Sequence, residues 1–156
     1  MFKQIFLPLI AVAVFITLVG LLGQGKLTPK VSLKTIKIDN LEISVEVAKS
    51  ADERAKGLSG REKLDENSGM VFVFDKNSKP VFWMKDTLVA LDIIWINDNK
   101  IIRIEKNVQP EIGKTDSELK KYTAPSIVDY VLEVNAGFAD KNNIKIDQMI
   151  SGLEQL

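Results

Sequence analysis

The stretch Gly69-Met70-Val71-Phe72-Val73-Phe74 decides the fold class. Successive side chains of a strand point to opposite faces, and here both faces are apolar. A strand without a polar side belongs in the middle of a sheet covered on both sides. Upstream, Leu41, Ile43, Val45 and Val47 alternate with Glu42, Ser44 and Glu46, the pattern of a half-buried strand. Before it, residues 31–38 alternate with a phase shift near Thr35 that suggests a bulge, and Asp39-Asn40 marks the turn between the two. Downstream, residues 81–84 resume strand character. Residues 91–96 and 100–104 form a hairpin across Asn97-Asp98-Asn99. Residues 109–123 are polar, with Pro110 and Gly113, and read as a long loop. Residues 130–134 and 144–150 are the last two expected strands.

Two short helices interrupt this series. Ser50 and Glu53 match a capping box that opens the first, and Gly57 is its expected stop. Asn135 is the expected cap of the second, which runs through Phe138 to Lys141 and ends at Asn142 or Asn143. Many short strands with one or two short helices predict a mostly β domain, a small antiparallel sandwich or barrel.

Composition narrows the chemistry. The 156 residues suit one domain, with 21 basic and 21 acidic side chains. A net charge of zero gives no long-range attraction to nucleic acid, so no nucleic-acid partner is expected. There is no cysteine and no histidine, which excludes disulfides, thiolate or Ser-His catalysis and nearly every zinc or copper site. No cofactor is expected, and any chemistry falls to carboxylates, Lys, Arg, Tyr or hydroxyls.

Residues 5–23 carry no charge and are mostly Leu, Ile, Val, Phe and Ala. At about 1.5 Å per residue a helix of this length matches a bilayer core. Residues 1–25 are therefore expected to be a membrane anchor or a signal peptide. Lys3 and the small residues Gly23-Gln24-Gly25 fit the signal peptide, and the long apolar run fits the anchor. Residues 26–30 are a linker, and residues 31–156 are the domain. Lys26, Lys30 and Lys34 would hold the domain inside by the positive-inside rule, a rule that weakens when a long domain follows.

An ordered series of matches then becomes recognisable. It runs through Val47-Ala48, Glu53-Arg54, Gly57-Leu58, Arg61, Leu64, Gly69-Met70, Phe72 and Phe74. It continues through Phe82-Trp83-Met84-Lys85, Thr87, Leu91-Asp92-Ile93-Ile94, Val131-Leu132-Glu133-Val134 and Ala136-Gly137. Over about residues 41–150 the chain resembles the domain of unknown function 192 family. The resemblance implies a compact β-rich fold, often behind a signal or anchor, without an established activity. It favours export, hence an extracytoplasmic domain that is membrane-anchored or secreted. Two positions depart from the family's pattern: Asp86 stands where Asn is typical, and Asp147 where Gly is usual. A Gly at the latter position takes positive φ freely, and Asp does so at a cost.

The candidate ligand-binding residues are Arg54, Arg61, Trp83, Lys85, Asp86, Asp92 and Glu133. Trp83 could stack on a sugar or other ring, with Lys85 and Asp86 making directed hydrogen bonds. The competing reading buries Trp83 or Met84 in the core and leaves Lys85-Asp86 as an exposed turn. Asp92 sits in an apolar strand, so it needs a partner, and Arg54 and Arg61 are candidates. Asp92 with Glu133 could be an acid/base pair or a hard-cation site, or each could be a structural ion pair. Arg61 follows two glycines and could reach over a pocket toward an anion. Gly57-Leu58-Ser59-Gly60 lacks the phosphate-loop spacing. Met70 and Met149 read as core filler. The expected function is a cell-envelope binding or accessory module for a glycan, a small anionic ligand or a protein. A carboxylate-based hydrolase and a structural domain at the membrane are the alternatives.

Overall fold

A computed structural model describes residues 32–156. The expectations for residues 1–25 and for the linker lie outside the described residues. Among the described residues no helix is long and apolar enough to cross a membrane.

The elements follow the order β1 (Lys34–Ile38), β2 (Leu41–Ala48), α1 (Ala51–Lys56), β3 (Ser68–Val73), β4 (Val81–Phe82), β5 (Leu91–Asn97) and β6 (Lys100–Val108). Then come β7 (Tyr122–Thr123), β8 (Tyr130–Asn135), α2 (Phe138–Lys141), β9 (Ile150–Ser151) and a final 3-10 turn, Leu153–Gln155. Seven strands form one sheet in the order β6-β5-β8-β3-β2-β1-β9, and β4 pairs with β7 in a separate ribbon. The sheet curls into a half-barrel. Its two edges meet where Lys100, at the start of β6, bridges Met149, just before β9. Backbone bonds from Ile101 N to Gln148 O (3.0 Å) and from Ile150 N to Asn99 O (2.8 Å) hold that junction.

The curl gives the sheet two apolar faces. Ile36, Ile43, Val45, Val71, Ile94 and Leu132 pack inside with Phe138 and Ile144. Met70, Phe72, Ile93, Trp95 and Val131 face outward, beneath Leu58, Met84, Ala124 and Val128. A strand at the centre of such a sheet must be apolar on both sides, which accounts for residues 69–74 in β3. Gly69 lets β3 approach β8: a Cβ there would lie 2.4 Å from the Glu133 carbonyl oxygen.

Several sequence expectations need correction. The mostly β expectation holds, and of its two alternatives the domain takes the curled, barrel-like sheet rather than two stacked sheets; within this largely antiparallel sheet β2 runs parallel to β3. That pair is parallel because α1 and the segment after it carry the chain back before β3 begins. The suspected bulge near Thr35 is absent: β1 pairs with β2 residue for residue from Lys34 to Ile38, and the register shifts lie in the β5–β6 hairpin. The last strand shrinks to Ile150–Ser151 because Asp147, at φ 75°, turns the chain. Met149 is consequently 54% exposed instead of filling the core. The loop over residues 109–123 ends in strand β7. Both departures from the family pattern, Asp86 (φ 51°) and Asp147, occupy left-handed backbone, which Asn and Gly adopt at lower cost.

The capping box is present as expected. Ser50 Oγ accepts from Glu53 N at 3.2 Å, and Glu53 Oε2 accepts from Ser50 N at 2.8 Å. Gly57 ends α1 at φ 46°. The second helix is capped differently. Asn135 turns its amide to the Leu64 and Asp65 carbonyls instead, and Asp92 of β5 accepts from Gly137 N (3.1 Å) and Ala139 N (2.9 Å).

Candidate functional site

Directly opposed residues of antiparallel strands share a face. On β8, Glu133 lies between Met70 of β3 and Ile93 of β5, both on the outer face. Its carboxyl is thus placed among apolar neighbours and is 5% exposed. Among the described residues it has no hydrogen-bond or ion-pair partner. Burial alone pushes its pKa up to about 8, because a charged carboxylate loses its hydration there.

What remains accessible of Glu133 lines an open cavity of about 230 Å³. Phe72, Phe74, Phe82 and Leu58 supply apolar wall, the end of α1 supplies Arg54 and Lys56, and Trp83, Lys85 and Thr87 complete the lining. Phe82 fastens ribbon β4 to the sheet. Its ring meets Phe72 edge-on at 4.9 Å and Trp95 at 5.5 Å. Trp83, the next residue, therefore emerges at the rim, 43% exposed, with the Lys121 ammonium 4.1 Å from its ring centre. Met84 returns to the core, so the alternation within 82–84 decides which large side chain is buried.

The cationic groups differ in commitment. Arg54 donates to the Val73 carbonyl at 3.0 Å and to the Lys49 carbonyl, with its guanidinium 5.2 Å from the Phe74 ring centre. Neutral carbonyls leave its charge uncompensated. Neither Arg54 nor Lys56 has an acidic partner among the described residues. Lys85 reaches Asp116 at 2.7 Å, and that bond raises the lysine pKa and lowers the aspartate's.

Four of the seven sequence candidates therefore converge: Arg54, Trp83, Lys85 and Glu133. Three do not. Arg61 is paired with Glu46 of β2. The Asp86 carbonyl accepts from Gly60 N at 2.8 Å, tying two loops together, and the residue is not part of the lining. Asp92 lies opposite Val134 on the inner face, where it accepts from Asn107 N (2.8 Å) as well as from the α2 amides. Neither expected arginine contacts it; backbone amides satisfy a buried carboxylate at a helix start without a counter-ion. Asp92 and Glu133 thus face away from each other through the sheet, and they form neither an acid/base pair nor a shared cation site. No cluster of three or more carboxylates suited to a metal ion occurs among the described residues.

Sequence reading missed Phe72, Phe74, Phe82, Leu58, Lys56 and Thr87 as lining. Met70, Phe72 and Phe74 share a strand face by alternation. That this face is Glu133's depends on the β3–β8 register, which one sequence does not reveal.

The half-barrel fold is shared with solved structures. A structure from Sinorhizobium meliloti 1021, provisionally called a transcription regulator, is similar with a TM-score of 0.69 at 24% identity, covering 77% of this chain and 93% of that one. A protein of unknown function from Novosphingobium aromaticivorans DSM 12444 is similar with a TM-score of 0.71 at 25% identity, covering 80% and 89%. No curated protein matches the chain. The sequence pattern of the domain of unknown function 192 family, described as "Uncharacterized ACR", matches residues 34–152. The chain belongs to that family.

The buried carboxyl has a consequence for stability. Its folded pKa lies above the unfolded value of about 4.5. Below pH 4.5 it is protonated in both states and costs nothing. As pH climbs from 4.5 to 8 the folded state retains a proton that the unfolded chain has released, and stability falls. The loss levels off above pH 8, at about 5 kcal/mol from this one group. Urea unfolding at pH 4.5 and pH 8.5 measures it. Glu133→Gln should gain several kcal/mol relative to wild type between those two conditions, and equal pH dependence in both proteins would refute a buried, uncompensated acid.

Proposed function

We propose that this protein is a ligand-binding module of the cell envelope, rather than a catalyst. Its cavity takes a small ring-bearing compound with negative charge, such as an acidic glycan. One observation carries this reading. Arg54 and Lys56 face the cavity without acidic partners, and the one carboxyl in its lining among the described residues, Glu133, is buried between apolar neighbours that keep it uncharged near neutral pH. An anion entering this cavity meets cations and no opposing charge. Trp83 at the rim and the Phe72–Phe82 wall offer flat apolar surface to a ring.

The carboxylate-based hydrolase lacks support, because such an enzyme needs two acids flanking one bond and, among the described residues, one acid lines the cavity. The envelope location rests on residues 5–23 and on the resemblance to a family often found behind a signal or anchor.

Binding is tested by calorimetric titration of the full-length protein with trigalacturonic acid, with maltotriose as the neutral control. The acidic sugar should bind more tightly, and Trp83→Ala should weaken it about tenfold, the equivalent of one stacking contact. Equal or absent binding of both sugars would end this reading. Location is tested separately by fractionating cells that make the full-length chain. It should sediment with membranes or leave the cell, and a cytosolic protein that retains residues 1–25 would contradict the envelope assignment.

A further inference from the structure

Buried polar side chains almost always have a hydrogen-bond partner, and an exception calls for an explanation. Glu133 has no such partner from the protein among the described residues, and its carboxyl oxygens keep their contact with the cavity instead. It sits on β8, beside the central strand β3, is nine-tenths or more buried, and lines the cavity without a donor, acceptor or counter-ion among the described residues. By contrast Asp92, on the neighbouring strand, accepts bonds from three backbone amides. The same sheet therefore satisfies one buried acid fully and leaves the other to whatever enters from outside.

Building on the binding reading above, we propose that Glu133 recognises its ligand as a neutral acid. Its O–H donates to an anionic oxygen of the bound molecule, so binding requires a proton on the protein. A charged carboxylate in the cavity wall would repel that oxygen; a protonated one supplies the donor that an anion needs. The cavity is built to keep the group neutral. Its strand neighbours Met70 and Ile93 and the adjacent Phe72 carry no charge. The charged groups that face the cavity from other elements are Arg54 and Lys56 on α1 and Lys85 after β4. Arg54 is engaged with two carbonyls and Lys85 with Asp116. Lys121 stays at the rim over Trp83. Glu133 is the carboxyl in that lining, and its charge changes between pH 6 and pH 9.

Trigalacturonic acid is a suitable probe, because its own carboxylates stay fully ionised throughout that range. Its affinity for the full-length protein should be level from pH 6 to pH 7 and about tenfold weaker at pH 9, the drop set by a midpoint near pH 8. Glu133→Gln keeps a neutral donor of similar shape. It should bind at pH 6 within a fewfold of wild type and lose the pH dependence. Glu133→Ala should bind weakly at every pH. A Gln variant that loses affinity at pH 9 as wild type does would assign the effect to the lysines and overturn this inference, leaving the binding reading intact. Wild-type binding that ignores pH would overturn it in the same way. A wild-type protein that binds the probe at no pH would overturn both.

Discussion

A strand covered on both faces has nowhere to place a charge. β8 occupies that position, with the inner core against Leu132 and Val134 and the outer layer against Val131. Glu133 is the acid this strand nevertheless carries. Its neutrality near physiological pH follows from its position, as does its presence in the lining of the cavity. The surrounding structure serves the same arrangement. Gly69 lets β3 lie close against β8, and Phe82 pins the ribbon that holds Trp83 at the rim.

The two buried carboxylates show how differently one sheet can treat the same chemical group. Asp92 points inward and meets amides whose own hydrogen bonds would otherwise be missing at the start of α2. It joins three segments, β5, β6 and α2, in one network. Removing it would leave buried donors without acceptors, a structural cost. Glu133 points outward and joins nothing. Burying an acid without a partner works against stability, so its place on β8 is better explained by what the cavity receives than by what the fold needs.

Much of this was legible from residue order. Alternation in Leu41–Val47 and the two-faced apolar run at 69–74 located β2 and the central β3, and Ser50 with Glu53 announced α1. Local patterns of this kind depend only on near neighbours in the chain. Register and partner choice do not. The parallel β2–β3 pair, the Asp92 cap on a helix more than forty residues away and the pairing of Arg61 with Glu46 all depend on contacts between distant segments. Four site residues could be named in advance because a Trp-Met-Lys cluster and charges within apolar strands stand out locally. The phenylalanine walls could not, since apolar residues in strands look alike until the register shows which face they share with Glu133.

The protonation of one side chain is the hinge of this account, and it can be observed directly. Carbon-13 NMR of the full-length protein, with glutamate labelled at the carboxyl carbon and Glu133→Gln used to assign the signal, gives the titration midpoint of Glu133 alone. A midpoint near pH 8 is expected. A midpoint near 4.5, that of an ordinary solvated glutamate, would mean the carboxyl is charged at neutral pH, and the cavity would then be something other than a receptor for anions.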